Sequence, residues 1–262
     1  MEQRIDRQGA HAASPNAALP SAAPPLAPTD NRIPKHIGII LDGNRRFAKR
    51  LMLKPWKGHE WGAKKFEDLL RWCEELGIRE VTAYAFSVQN FNRPKEEFDF
   101  LMDIFRKECA HYLQDGSDVE KNQVRVNFIG RIWMFPQDIQ ESMRKVMDKT
   151  RKHDKHIINM AMAYGGREEV LDAVQKIARQ VKAGTLDIAQ INEQTFSRNL
   201  YMDDEPELII RTGGEQRTSN FLIWQSWYSE WFFLEKPWPE FEKEDLVKVI
   251  REYQSRDRRF GK

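Results

Sequence analysis

The stretch Ile37-Gly-Ile-Ile-Leu-Asp-Gly-Asn-Arg-Arg-Phe-Ala-Lys-Arg50 sets a run of mostly branched apolar residues directly against an acid, a glycine, an amide and a block of bases. A short apolar run bounded by turn residues reads as a buried strand. In open α/β sheets, ligands gather beyond the carboxyl ends of the strands, which is where Asp42-Gly43-Asn44-Arg45-Arg46 would fall. The same triplet Asp-Gly-Asn is also an ordinary turn. The reading therefore depends on whether other strands of the chain end in the same way.

From Ile33 onward, short β-branched or aromatic runs alternate with amphipathic stretches at helical spacing, the signature of an α/β fold with a mainly parallel sheet. The pattern predicts six strands, at 37–41, 81–86, 124–129, 157–163, 208–210 and 231–234. Between the first two, Phe66, Leu69, Leu70, Cys73 and Leu76 recur at three- and four-residue steps, and Gly77 follows where a helix C-cap glycine sits. Further helices are expected at 95–111, 137–153, 167–182 and 243–257, and no internal repeat is evident. The expected architecture is a central six-stranded sheet flanked by helices, formed by one domain over residues 31–262.

Residues 1–30 hold eight alanines and five prolines without a cationic start and apolar h-region, so they read as a disordered leader. Lys plus Arg number 42 against 40 Asp plus Glu, a formal charge of +2 that gives no reason to expect a nucleic-acid surface. Mean hydropathy is −0.70 and no apolar run approaches the roughly 18 residues of a membrane helix. Cys73 and Cys109 have no CxxC beside them, which fits a reducing compartment and two core residues. His153 and His156 lack a second pair of metal ligands, and Walker A, GxGxxG and GxSxG patterns are absent.

Three predicted strand ends carry arginine with small or amide residues: DGNRRFAKR at 42–50, SVQNFNRP at 87–94 and RTGGEQRTSN at 211–220. The arginine fork donates two parallel hydrogen bonds to a phosphate, and backbone N–H groups at a helix start add more. Asp42 offers a hard oxygen ligand for Mg²⁺, which characteristically bridges a carboxylate to substrate phosphate. The opening stretch thus reads as a metal-diphosphate seat. Thr212-Gly213-Gly214 also reads as a tight connection, and Tyr164-Gly165-Gly166-Arg167 as the start of a helix.

The segments ILDGNRRFAK (40–49), Gly58-His59, AFSVQNFNRP (85–94), IRTGGEQRTSNFLIWQ (210–225) and Arg258-Arg259-Phe260-Gly261 together resemble the cis-prenyltransferases, the family of undecaprenyl and dehydrodolichyl diphosphate synthases. The resemblance runs from about Ile33 to Gly261, and Asn-Arg-Arg after Asp42-Gly43 is more similar to archaeal and eukaryotic members. It implies condensation of isopentenyl diphosphate with an allylic prenyl diphosphate primer, forming a Z double bond and lengthening the chain by one isoprene unit. It also implies that Asp42 and Glu230 share Mg²⁺, and that Gly43, Asn44, Arg45, Arg46, His59 and Arg93 hold the primer diphosphate. Arg211, Arg217, Thr218 and Ser219 would hold isopentenyl diphosphate, with Phe47, Ser87 and Phe91 also in the substrate site. Asn90 matches the position associated with proton removal, a diphosphate oxygen being the alternative acceptor. Arg259 and Gly261 resemble the RxG element that reaches across a homodimer.

The resemblance further implies an apolar tunnel for the growing chain, in a cytoplasmic enzyme with peripheral membrane contact for product release. Trp72, Phe98, Leu101, Phe105 and Ile132 are candidates for the tunnel and equally for an ordinary core. Three positions depart from the pattern: Pro55 stands at a family arginine, leaving Lys54 or Lys57 as stand-ins, and Gln89 and Gln216 replace a glutamate and a histidine common elsewhere. These changes leave room for a short-chain or non-standard-acceptor variant. Asp203-Asp204-Glu205-Pro206-Glu207 superficially resembles the aspartate-rich motif of the all-helical trans-prenyltransferases and reads here as a solvated loop. A non-catalytic accessory subunit would be expected to lack Asp42 and Glu230.

Overall fold

The computed structural model describes residues 33–256, so the 1–30 leader and the tail positions Arg259 and Gly261 lie outside the described residues. The apolar run forms β1 (His36–Ile40), in which every residue is buried, as expected of a strand with parallel neighbours on both sides and both faces covered. α1 (Asn44–Arg50) and α2 (Gly58–Leu76) follow, and Gly77 ends α2 at φ 78°, the left-handed cap. The chain continues through β2 (Glu80–Ser87), α3 (Lys95–Leu113), the short α4 (Asp118–Lys121), β3 (Val124–Ile129), α5 (Gln137–Thr150) and β4 (His156–Tyr164). Then come α6 (Gly166–Lys182), α7 (Glu193–Ser197), β5 (Leu208–Arg211), β6 (Glu230–Phe233) and α8 (Lys243–Ser255).

All six expected strands are present, in the order β3-β4-β2-β1-β5-β6, and every pairing is parallel. β1 leaves toward β2 while its other neighbour, β5, leaves toward β6, so the strand order diverges between β1 and β5. That divergence opens a crevice at their carboxyl ends. Helix starts and ends differ from the periodic pattern where polar contacts decide them. α5 stops at Thr150, whose hydroxyl bonds the Val146 carbonyl at 2.9 Å, and His153 then donates from Nδ1 to the Val124 carbonyl at 2.9 Å. Tyr164-Gly165-Gly166-Arg167 does start a helix, and the 203–207 acidic run is a loop before β5. Both cysteines are buried, and burial pushes the Cys109 thiol up to about 12.

The amino-terminal ends of the strands hold a separate polar cluster. His36 Nε2 meets Thr82 Oγ1 at 2.7 Å, and Asn159 Nδ2 donates to Glu80 Oε1 at 2.7 Å. Burial, reinforced by Asp204, pushes the Glu80 carboxyl up to about 7. Folded Glu80 therefore keeps a proton that the unfolded chain loses near pH 4.3. The stability this contributes is complete below about pH 4.3 and is lost as pH rises through 7. Glu80→Gln, which preserves the acceptor for Asn159, is expected to flatten the fall in melting temperature between pH 5 and pH 8 and to raise it at pH 8 by roughly 2–4 °C per kcal/mol recovered. Thermal melts of both proteins at the two pH values check this.

Candidate active site

Parallel pairing puts Ile40 beside Arg211, so the residues following β1 face the end of β5. Arg211 Nη2 donates to Asp42 Oδ2 at 2.9 Å, and its Nη1 donates to Ser219 Oγ at 2.7 Å and to the Arg217 carbonyl. The Arg211 side chain is 4% exposed, so the carboxylate neutralises a buried guanidinium. Thr212 grips the same turn: Asp42 N donates to its hydroxyl at 3.1 Å, and the hydroxyl donates to the Asp42 carbonyl at 2.8 Å. Two glycines make this close approach possible. Gly43 sits at φ 101° with Pro237 where a Cβ would go, and a Cβ on Gly213 (φ 86°) would lie 2.8 Å from Arg46 Nη2. Arg46 Nη2 reaches Asp42 Oδ1 at 3.3 Å.

The end of β2 builds the second wall. Ser87 caps a 3₁₀ turn, Val88–Asn92, by donating its N–H to Asn90 Oδ1 at 3.0 Å. This bond occupies the Asn90 carbonyl oxygen and leaves its Nδ2 as a donor. Arg93 then reaches His59 Nε2 at 3.2 Å and Glu97 Oε1 at 2.7 Å, with Arg45 at 3.8 Å from the same Glu97 oxygen. Glu97 is 1% exposed. His59 at 3.6 Å and Arg93 at 2.7 Å hold its carboxyl below the usual range, while burial holds the His59 imidazole below its own.

Between these walls opens a cavity of about 630 Å³ lined by Asp42, Asn44, His59, Ser87, Asn90, Arg93, Arg211 and Ser219 at its polar end. Its apolar remainder runs between the sheet, with Phe86, Met160 and Met162, and the facing helices α2 and α3. Of the tunnel candidates, Leu101 and Phe105 line it. Trp72, Phe98 and Ile132 do not: Trp72 packs on Phe241 and Phe98 on Phe86 and Phe91. Phe47 packs against Trp61 and Phe91 against Phe86 and Phe135, both off the cavity wall. Arg45, Arg46, Arg217 and Thr218 are exposed on the surrounding segments. The two lysines named as stand-ins for the arginine missing at Pro55 lie outside the cavity lining and pair with acids at the surface, Lys54 with Glu96 and Lys57 with Glu60.

Glu230 lies apart from Asp42 within one chain. It opens β6 and is aligned with Leu208 and thus with Ile37, five positions before Asp42. At about 3.3 Å per strand residue, the three steps from Ile37 to the end of β1 at Ile40 alone set the two backbone positions roughly 10 Å apart along the strands. Glu230 instead accepts from Arg256 Nη1 at 2.9 Å. Asp42 and Glu230 of one chain therefore do not meet.

A family model for undecaprenyl diphosphate synthase matches residues 40–261. The chain is 48% identical over 235 residues to the geranylgeranyl-diphosphate-specific tritrans,polycis-undecaprenyl-diphosphate synthase of Methanopyrus kandleri, covering 89% of this chain and 86% of that one. It is 44% identical to an isoprenyl transferase of Thermus thermophilus, over 88% of this chain and 89% of the relative. The crystal structure of lavandulyl diphosphate synthase from Lavandula x intermedia, in complex with dimethylallyl diphosphate, superimposes with a TM-score of 0.80 at 34% identity, covering 87% and 98% of the two chains. A probable undecaprenyl diphosphate synthase from Campylobacter jejuni gives 0.72 at 31% identity, over 88% and 100%. The chain belongs to the cis-prenyltransferase family.

Two residues of this cis-prenyltransferase that hold the site together went unpredicted. Thr212 was visible only as part of a turn, because its role depends on β5 lying next to β1. Glu97 did carry a signal, standing four residues after Arg93 at the start of α3, where an i,i+4 ion pair forms. Removing a buried partner of this kind costs about 3 kcal/mol or more. Glu97→Gln is expected to lower unfolding stability by about that amount and to raise the primer KM at least fivefold, with less effect on the KM for the second diphosphate substrate. Urea melts and steady-state kinetics varying each substrate separately check it.

Proposed function

We propose that this chain condenses isopentenyl diphosphate with an allylic prenyl diphosphate primer, releasing diphosphate and adding one Z-configured isoprene unit per cycle. The observation that carries the reading is the junction of two cationic seats with one apolar cavity. Arg93, His59 and Asn44 line it together with Arg211 and Ser219, and β2 and β5, the strands that lead to Arg93 and Arg211, lie on opposite sides of β1. Arg211 Nε is buried without a protein partner, as a donor reserved for a ligand would be. In this reading Asn44, Arg45, Arg46, His59 and Arg93 hold the primer diphosphate while its chain enters the cavity. Arg211, Arg217 and Ser219 orient the isopentenyl diphosphate.

The allylic C–O bond breaks, the terminal methylene of isopentenyl diphosphate bonds to the allylic carbon, and a proton leaves the adjacent methylene. Asn90 serves as an amide donor to a phosphate oxygen, its carbonyl being engaged by Ser87, and a diphosphate oxygen takes the proton. Among the described residues no three His, Cys, Asp or Glu side chains converge as a ready cation site. Mg²⁺ nevertheless suits Asp42, because this ion is usually held by one or two carboxylates completed by substrate phosphates. Bound there, it would neutralise charge building on the departing diphosphate. Geranylgeranyl diphosphate, named in the specificity of the archaeal relative, is the first primer to try.

A homodimer completes the reading. β6 is an edge strand, and Trp227, Tyr228 and Phe233 nearby are exposed. A two-fold axis beside that edge reverses strand direction between copies, bringing Glu230 of a second copy toward the Asp42 end. Arg256, which leads into the tail containing Arg259 and Gly261, is paired to Glu230. The buried thiols suit a reducing, cytoplasmic setting, with peripheral membrane contact for product release; no helix among the described residues is long and apolar enough to cross a membrane.

Purified protein given Mg²⁺, labelled isopentenyl diphosphate and geranylgeranyl, farnesyl, geranyl or dimethylallyl diphosphate is expected to form extractable polyprenyl diphosphate. No product with any primer would end this reading. Asp42→Ala is expected to lower kcat at least about 100-fold with a folded circular dichroism spectrum. Separately, mixing inactive Asp42→Ala and Glu230→Ala proteins under subunit exchange is expected to restore about a quarter of wild-type activity, because half the dimers then hold one intact shared site. A mixture as inactive as its parts would show that the site is not shared.

A further inference from the structure

The connection between α1 and α2 contributes nothing to the cavity wall, yet it is built unlike a water-facing turn. Leu51, Met52 and Leu53 are consecutive and 44%, 95% and 42% exposed. Met52 has φ 56°, the left-handed region that non-glycine residues seldom occupy, so the apolar tip is held in an unfavourable backbone conformation. Trp61, 53% exposed, stands edge-on against Phe47 at the base of this tip. Cations sit over the neighbouring rings: Arg50 over Phe47 at 5.7 Å, Lys54 over Trp56 at 5.1 Å and Lys57 over Phe100 at 4.7 Å.

Charge singles out the same segment. Residues 45–65 hold eight lysines and arginines and one acid, Glu60, in a chain whose formal net charge is +2. Arg50, Lys54, Lys57 and Lys65 pair with Glu240, Glu96, Glu60 and Asp68, while Lys49 and Lys64 have no acidic partner among the described residues. Exposed pairs of this kind contribute little and can be exchanged for other anions. An apolar tip ringed by indoles and lysines matches the chemistry of a bilayer interface: the aliphatic residues enter the acyl boundary, the rings lie at headgroup depth, and the lysine stems reach back to phosphate.

We propose that the α1–α2 connection docks this protein on an anionic lipid bilayer, beside the cavity mouth formed where α1 begins. The choice of a bilayer over a protein partner rests on the reading of the product as a long prenyl chain, which lipid solvates and water does not. Anionic headgroups supply the complement to the basic segment.

Flotation of the full chain with vesicles of phosphatidylcholine containing a third phosphatidylglycerol is expected to recover bound protein, with at least tenfold less on pure phosphatidylcholine or in high salt. The triple variant Leu51→Ser, Met52→Ser, Leu53→Ser is expected to bind at least tenfold more weakly, with unchanged melting and unchanged turnover of a short primer in detergent. A polarity-sensitive dye on Met52→Cys is expected to shift to the blue with anionic vesicles and not with neutral ones. Equal binding by the triple variant, no binding by the wild type, or an unmoved dye overturns the proposal; a protein partner captured instead does the same. Tip-dependent binding by an inactive enzyme would sink the activity and leave the docking surface standing, and turnover without vesicle binding would do the reverse.

Discussion

The ion pair between Asp42 and Arg211 ties the molecule together at the place where the chain diverges. Neighbouring parallel strands deliver the two residues to the same rim, and the Arg211 side chain has almost no access to water. A guanidinium in that position destabilises the fold unless a carboxylate is held against it. Thr212 supplies the holding, by bonding the Asp42 backbone through both its donor and acceptor. Gly43 and Gly213 leave the room it needs. The interaction that fastens β1 to β5 is thus also the one that places a carboxylate and an arginine fork on the wall of the cavity.

Charge at the rim is balanced internally. Arg46 is shared between Asp42 and Glu215, Arg217 pairs with Glu215, and Arg93 with Glu97. Under the proposed function, a diphosphate entering this setting would exchange one anion for another around preorganised forks, without leaving naked cations buried between turnovers. Glu97 differs from the others because it is fully enclosed and has no route into solvent. It fixes Arg93 and His59 relative to one another, whereas Glu215 at the surface is free to yield.

The sheet was legible because each of its strands is a short apolar run closed by turn residues, and the rule that chemistry follows the strand found Asp42, Arg93 and Arg211. That rule also separates Glu230 from them, since Glu230 opens β6 and does not follow it. Its assignment to the same metal came from resemblance alone, and the register holds the two carboxylates of one chain apart. The tunnel was read less well. A helical stripe says which face of α3 is apolar, but not which residues meet the sheet directly and which meet other helices. Leu101 and Phe105 reach the cavity, Phe98 on the same helix is taken up by its aromatic neighbours, and Trp72 of α2 turns to Phe241. Met160 and Met162, which the sequence analysis did not single out, line it from β4.

The cavity has two chemically different ends, and that contrast bears on how far a chain can grow. Along α3, Arg93 just before the helix and Tyr112 near its end both line the wall, a span of roughly 28 Å at 1.5 Å per residue. Each isoprene unit entering the apolar stretch gains up to about 4 kcal/mol, at about 0.8 per methylene. The gain lapses at Glu108 and Tyr112, which also line the cavity. Burial and the nearby Glu67 push the Glu108 carboxyl above its usual range, a sign that this acid is already poorly hydrated. An arriving methyl end would have to desolvate it further, so growth there trades hydrophobic gain against a polar penalty of comparable size. Under the proposed function, the apolar wall would favour a growing chain and the Glu108 carboxyl at the far end would oppose it.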